Sequence, residues 1–357
     1  MTMEFGLGLP INDPALLPAW ARLAEQHDFA TLALLDRLTF DNPEPLIALA
    51  VLAGGTDRIR LQTEVLLGPL RSTALLAKQV ATLDRMSGGR FVLGIGIGGR
   101  EDDHEAAGVP LAGRGRLLDA QLADLRRIWR GEPYRAATTP DPRDRSVAPD
   151  GAGHPLRHRR AEHPGGTETA GPGGPDGAGR PGGSGVVSRS GGSGVAPSTE
   201  DDWGLGRRVA AGVAGIGPRP VAGDGPPILI GGFAPAALRR VARFADGFIC
   251  AAPLGWAGGL VRTVNEQWEE AGRAGRPRLV CQINVSVGDA ATVERGRRAV
   301  ADYYAFTGRP GFGVPLSDPG EIAEAVAAYR EFGADELVFY CYADDPRQID
   351  ILAGILR

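Results

Sequence analysis

The chain has 357 residues, 43% of them hydrophobic, which suits one large barrel domain or two ordinary ones and excludes wholesale disorder. Its formal net charge is -4 at pH 7, with basic residues spread among acidic ones, which argues against a nucleic-acid binder held by phosphate contacts. Cys250, Cys281 and Cys341 lie far apart in apolar runs with no histidine beside them; they read as buried, reduced thiols and not as a disulfide framework or a zinc site.

The chain runs straight into Phe5-Gly6-Leu7-Gly8-Leu9-Pro10, with no basic region followed by a signal-length apolar core. No run reaches the roughly 18 apolar residues of a membrane span, so the expectation is a soluble cytoplasmic protein without membrane contact. From Phe5 to Leu9 the pattern predicts a strand. Pro14 to Gln26 then repeats apolar residues at helical spacing, with Asp13 as N-cap ahead of Pro14. Strand Thr31 to Leu35 and helix Pro43 to Ala53 follow. Next come strand Ile59 to Leu67 and helix Ser72 to Met86, which Ser72 can cap. Strand Phe91 to Ile97 precedes a helix from Arg114 to Trp129, with Leu117, Leu118, Leu122, Leu125 and Ile128 on one face.

From about Arg135 to Pro220 the composition changes to Gly, Pro, Arg, Ser and Asp, as in Gly171-Pro172-Gly173-Gly174-Pro175. Such a segment buries too little to offset about 1–2 kcal/mol of backbone ordering entropy per residue, and reads as a disordered insertion. Within it, Ala210 to Ile216 could form a short helical or strand-like piece. The alternation then resumes with strand Pro227 to Gly231 and helix Pro235 to Ala245, then strand Gly247 to Ala251 and helix Trp256 to Gly272. Strand Leu279 to Val287, helices Ala291 to Ala305 and Pro319 to Phe332, strand Glu336 to Tyr342 and helix Pro346 to Leu356 complete it. Eight strands alternating with helices predict a closed (β/α)₈ TIM barrel over 1–357, with 135–220 inserted between strands four and five.

In such a barrel, chemistry sits on the loops after the strands. Asp36-Arg37 after strand two reads either as a pair orienting a ligand or stabilising negative charge, or as a structural ion pair. Glu64 is a charge in an apolar run; it is a site residue if it faces the barrel mouth, and meets a basic partner if it points sideways. After strand four, Gly94-Ile95-Gly96-Ile97-Gly98-Gly99 allows close backbone approach, followed by Arg100-Glu101-Asp102-Asp103-His104. The acidic residues there would repel a pyrophosphate, and His104 reads as an acid or base or as an ordinary surface histidine. Gly231-Gly232-Phe233-Ala234-Pro235 opens a helix whose N-terminus suits a phosphate, or is simply a tight turn. No Walker loop, Ser/His/Asp set or clustered metal site is found.

The run Ala77-Lys78-Gln79-Val80-Ala81-Thr82-Leu83-Asp84-Arg85-Met86-Ser87-Gly88-Gly89-Arg90-Phe91-Val92-Leu93-Gly94 resembles the central signature of the bacterial-luciferase-like, flavin-dependent oxidoreductases. Ile228-Leu229-Ile230-Gly231-Gly232, Ala245-Asp246-Gly247-Phe248 and Gly333-Ala334-Asp335-Glu336-Leu337 are similar to further blocks of that family. The resemblance spans the chain outside the insertion. It implies a barrel holding FMN or a deazaflavin coenzyme in its mouth, and a non-prolyl cis peptide at Glu64–Val65 beside the ring. It also implies a phosphate near Gly232, Phe233 and Ala234, and a wall at Ile97 and Gly98. Luciferase catalytic subunits carry a histidine where Arg37 stands and a phosphate-binding arginine where Ile97 stands, which leaves the phosphate to backbone groups or Arg100. Many deazaflavin enzymes carry Asp-His where this chain has Asp36-Arg37.

Three functions follow from the resemblance. One is a two-component monooxygenase, with reduced FMN from a separate flavin reductase, O₂ and a small organic substrate. The second is a deazaflavin-dependent hydride-transfer enzyme. The third is a non-catalytic flavin-binding subunit. The resemblance also implies a homodimer.

Overall fold

Apolar runs buried on both faces become parallel strands, and the computed structural model, which describes residues 2–10, 12–135, 215–309, 311 and 313–357, closes them into a cylinder. The strands are β1 (Glu4–Gly8), β2 (Thr31–Leu34), β3 (Arg60–Thr63), β4 (Leu66–Leu67), β5 (Phe91–Gly96), β6 (Ile228–Gly231), β7 (Gly247–Cys250), β8 (Arg278–Val285) and β9 (Glu336–Cys341). Their order is β3-β2-β1-β9-β8-β7-β6-β5-β4, and a direct β3–β5 pairing closes the ring. β3 and β4 are halves of one stave: Leu61 and Gln62 pair with Phe91 and Val92, and Leu66 and Leu67 with Ile95 and Gly96. The barrel therefore has eight parallel staves, the (β/α)₈ architecture the alternation predicts.

The helices are α1 (Leu17–Gln26), α2 (Pro45–Ala53), α3 (Thr73–Met86), α4 (Glu101–Ala106), α5 (Arg114–Trp129), α6 (Pro235–Phe244), α7 (Leu254–Glu270), α8 (Ala290–Tyr304), α9 (Pro319–Phe332) and α10 (Gln348–Leu356). Asp13 caps as expected, accepting from the Ala15 N–H at 2.9 Å. Ser72 occupies the N-cap position of α3 with extended backbone, but its hydroxyl makes no capping bond. α4 was not expected, because its six residues are too short and polar to show a periodic face. The insertion read over 135–220 lies outside the described residues apart from Arg135 and 215–220, as does most of the piece read over Ala210 to Ile216. Among the described residues no helix is long and apolar enough to cross a membrane.

Side-chain alternation along the strands produces two cores. Leu32, Leu34, Phe91, Leu93, Ile228 and Ile230 face outward and pack with helix residues such as Leu76, Val80, Leu122 and Val241. Ala33, Leu35, Val92, Leu229, Ile249, Val280, Val338, Tyr340 and Tyr342 form a second cluster inside the barrel. All three cysteines are buried and free.

Charges seal the end where the strands start. Arg60 bonds Glu4 at 3.1 and 2.8 Å and Glu336 at 3.3 Å, while Arg278 reaches Glu336 at 2.9 Å and also bonds Glu4. With that end tied shut, the opposite end carries the loops that can hold a ligand.

Candidate active site

The floor of the mouth is made where β3, β5 and β6 end. The peptide between Glu64 and Val65 is cis, at the position the resemblance implies. Val65 sits between two bare backbones. A Cβ at Gly96 would lie 2.9 Å from Val65 Cγ2, and one at Gly231 would lie 3.0 Å from Val65 Cγ1. Either side chain would push Val65 aside, so Val65 can pack directly on both backbones because both neighbours are glycine. Gly94 and Gly96 alternate with buried Leu93 and Ile95, which is the sequence signal for an inward face without side chains.

Glu64 is buried inside the barrel, where Gln62 Nε2 donates to its Oε2 at 3.2 Å and its Oε1 has no partner among the described residues. Burial, and next the charge of Glu336, push its carboxyl up to about 8, against the opposing hydrogen bond from Gln62. The basic partner considered for a sideways Glu64 is not what it meets; its contact is the neutral amide of Gln62. Its own carbonyl accepts from the Tyr340 hydroxyl at 3.1 Å.

Asp36 and Arg37 do not pair with each other. Asp36 accepts from the Leu67 N–H at 2.7 Å and grips both terminal nitrogens of Arg71, one of them at 3.1 Å. It thus ties β2 to β4, directly after Val65. Arg37 turns instead to the loop after β5. It bonds Asp103 through Nε, and Thr39 and Asp102 through Nη2, both at 3.1 Å. Its Nη1 is buried and has no partner among the described residues. Asp103 also accepts from the N–H groups of Leu38 and Thr39 at 2.8 and 2.9 Å. Burial works against its charge, but Arg37 and these donors outweigh it and hold its carboxyl below the usual range. Arg100 first, and then Thr39 and Arg37, bring Asp102 down to about 2 against partial burial.

An aromatic row joins this cluster to the barrel interior. Phe40 and Tyr303 lie 5.4 Å apart, Tyr303 and Tyr342 5.6 Å, and Tyr342 and Tyr340 6.3 Å. Burial raises the phenols of Tyr340 and Tyr342 well above their ordinary value, so both stay neutral. Arg100 is committed to Asp102 at 3.2 Å, to the Tyr303 carbonyl at 3.3 Å and to the Phe306 ring at 4.2 Å. His104 is buried, with Nε2 3.0 Å from the Ile97 carbonyl, and it packs under Gly98, where a Cβ would come within 2.9 Å of it.

The loop after β6 is open. Gly232 has φ 137°, which disfavours any side chain, and Ala234 at the N-cap of α6 gives no side-chain cap. Pro235 has no N–H, and the N–H groups of Ala237 and Leu238 bond back to the Ala234 carbonyl at 2.8 and 3.2 Å, so an anion would meet the N–H groups of Ala236 and of the loop before it. Phe233 stands beside them, 5.0 Å from the Trp256 ring, both about half exposed.

The structure thus gathers Glu64, Val65 and Gly231 with Gly96 at the floor, and Gly232, Phe233 and Ala234 at the adjoining helix start. Arg37 and Arg100 join Asp102 and Asp103 in a separate cluster. Arg71, Tyr340 and the Tyr303–Tyr342 row were not found from sequence. Only the inward parity of Tyr340 and Tyr342 could have signalled the last of these.

The residues fit a flat ring with an anionic tail: a bare floor, an uncapped helix start, and a buried guanidinium nitrogen without a partner among the described residues. Fold and mouth together define a (β/α)₈ barrel whose open end carries these loops. The luciferase-like monooxygenase family profile matches residues 4–171 and 208–313, and the chain belongs to that family. An uncharacterized protein of Mycobacterium tuberculosis is 33% identical over 36% of this chain and 54% of its own, so the chain spans about half the length of that relative. The 5,10-methylenetetrahydromethanopterin reductase of Methanolobus tindarius is 37% identical over 27% of this chain and 29% of its own. Two solved structures share the fold at a TM-score of 0.67. The monooxygenase RslO1 of Streptomyces bottropensis is 17% identical, with 99% of this chain and 98% of that one covered. The coenzyme F420 dependent tetrahydromethanopterin reductase of Methanopyrus kandleri is 16% identical at the same coverage, 99% and 98%.

Proposed function

We propose that this chain is a monooxygenase that takes reduced FMN from a separate flavin reductase and uses O₂ to oxygenate a small organic substrate. The observation that supports this reading is the apolar floor of Val65 between Gly96 and Gly231, next to the uncapped start of α6. In this reading Val65 and the two glycines would bear the ring, and the backbone of Gly232, Phe233 and Ala234 would hold the phosphate. When bound, the reduced flavin supplies the electrons for oxygen activation. The chain's part is to orient and to exclude water: Leu35, Ile249, Tyr340 and Tyr342 wall the interior, all buried. Glu64 keeps its proton at neutral pH and so puts no negative charge beneath the ring. Arg37 Nη1 offers a positive group not consumed by contacts with the described residues.

A second reading, hydride transfer with a deazaflavin, draws support from the likeness to the Methanolobus reductase and to the F420-dependent fold. Anaerobic titration separates the two. Reduced FMN is expected to bind at micromolar concentration and the deazaflavin at least tenfold more weakly. The reverse order would assign the second reading, and binding of neither contradicts both. Gly231→Val, whose Cβ meets only the movable tip of Val65 within 3.4 Å, is expected to keep the thermal melt within a few degrees while weakening flavin binding at least tenfold. Equal affinity in the variant would remove Gly231 from the floor.

A further inference from the structure

A cavity of about 380 Å³ opens between α8 and the segment that follows it, a volume within the roughly 300–1,000 Å³ typical of small-molecule sites. Val300 and Ala301 of α8 form one wall, Val314 and Pro315 the other, and each wall contributes one arginine, Arg297 and Arg309. Among the described residues no carboxylate lines it. The neighbouring arginines of α8 are spoken for: Arg298 pairs with Glu294 at 3.3 Å and Arg295 with Asp344 at 3.5 Å. Neither the Arg297 nor the Arg309 guanidinium has a partner among the described residues.

The second wall is held at both ends. Asn284 Nδ2 donates to the Gly313 carbonyl at 2.8 Å, and the N–H of Leu316 donates to the Asn284 carbonyl at 2.9 Å. At the near end Thr307 Oγ1 donates to the Tyr304 carbonyl at 2.8 Å and accepts from the Arg309 N–H at 3.2 Å. The described residues of this wall are thus tied to β8 at one end and to the end of α8 at the other. Its inner side is Tyr304, whose ring lies 4.9 Å from Tyr303 and so meets the row that leads to Tyr340 and the Glu64 carbonyl.

We propose that this cavity binds an organic monoanion, a carboxylate or sulfonate on an apolar body, with the oxyanion held by Arg297 and Arg309 and the body along Val300, Ala301, Val314 and Pro315. Guanidinium groups match such heads in charge and in planar donor geometry. That the anion is the substrate of the oxidoreductase rests on the function proposed above; its binding does not.

The test is calorimetric titration of the full chain without flavin, using octanoate, octanesulfonate, octanol and acetate. The two long anions are expected to bind, with octanol and acetate at least tenfold weaker, and the tighter head group names the oxyanion. Arg297→Gln and Arg309→Gln should each weaken octanoate about tenfold, the loss of one charge-assisted contact, without moving the thermal melt. Arg298→Gln should change nothing. Equal binding of octanol and octanoate, indifference to both arginine variants, or no binding by any probe would overturn the proposal. None of these outcomes bears on the flavin titration, so the two readings fail separately.

Discussion

Glu64→Gln is expected to match the parent chain in thermal stability below about pH 4.5 and to exceed it increasingly above that, levelling off beyond about 8. The reason is the raised folded-state value of Glu64. In the unfolded chain this carboxyl ionises near its ordinary 4.5, whereas in the folded chain it keeps its proton until about 8. Between those values the unfolded state binds fewer protons, so rising pH destabilises the fold, by about 1.4 kcal/mol per pH unit for a single group. Glutamine never ionises and retains an oxygen for the Gln62 amide, so the variant escapes this slope. The difference between the two melting profiles isolates the one group. Parallel profiles across the range would show that Glu64 ionises in place, and would put a negative charge under the proposed ring.

Asp36→Ala should cost about 3–5 kcal/mol in urea unfolding, the scale for removing one partner of a buried ion pair. Asp36 and Arg71 are both largely buried, with side chains 6% and 19% exposed. Without the carboxylate, Arg71 retains Glu44 at 3.0 Å and its bond to the Leu67 carbonyl, while the Leu67 N–H loses its acceptor. Because that bond anchors the first residues after Val65, flavin affinity should fall along with stability. The double variant Asp36→Ala with Arg71→Met should recover much of the stability, since no buried charge is left unpaired and Glu44, which loses Arg71, is solvent-exposed. A loss under about 1 kcal/mol for the single variant would mean that other contacts hold β4 to β2.

The strands were readable from sequence because both their faces are buried, so apolar runs such as Phe91 to Ile97 stand out from amphipathic helices. β5 ends one residue short of that run, and β4 begins only after the irregular Glu64-Val65 step, which no periodicity reveals. Glu64, Gly231 and Gly232 could be singled out because a charge in a strand and a double glycine before a helix are local anomalies. Arg71 could not, because its partner Asp36 is 35 residues away and only barrel closure brings them together. The same holds for Asp103, 66 residues from Arg37, and for Tyr303, which meets Phe40 and Tyr342 only once the barrel is closed. Sequence order suggested that Asp36 and Arg37 form a pair, but successive residues at a strand end point in opposite directions, and each found a different loop.

The most direct measurement is a crystal structure of the chain grown with FMN. The ring should lie against Val65, between Gly96 and Gly231, with the phosphate at the N–H groups that open α6. Flavin density at any other place on the barrel, or a mouth that stays closed to the ring at saturating flavin, would contradict that geometry.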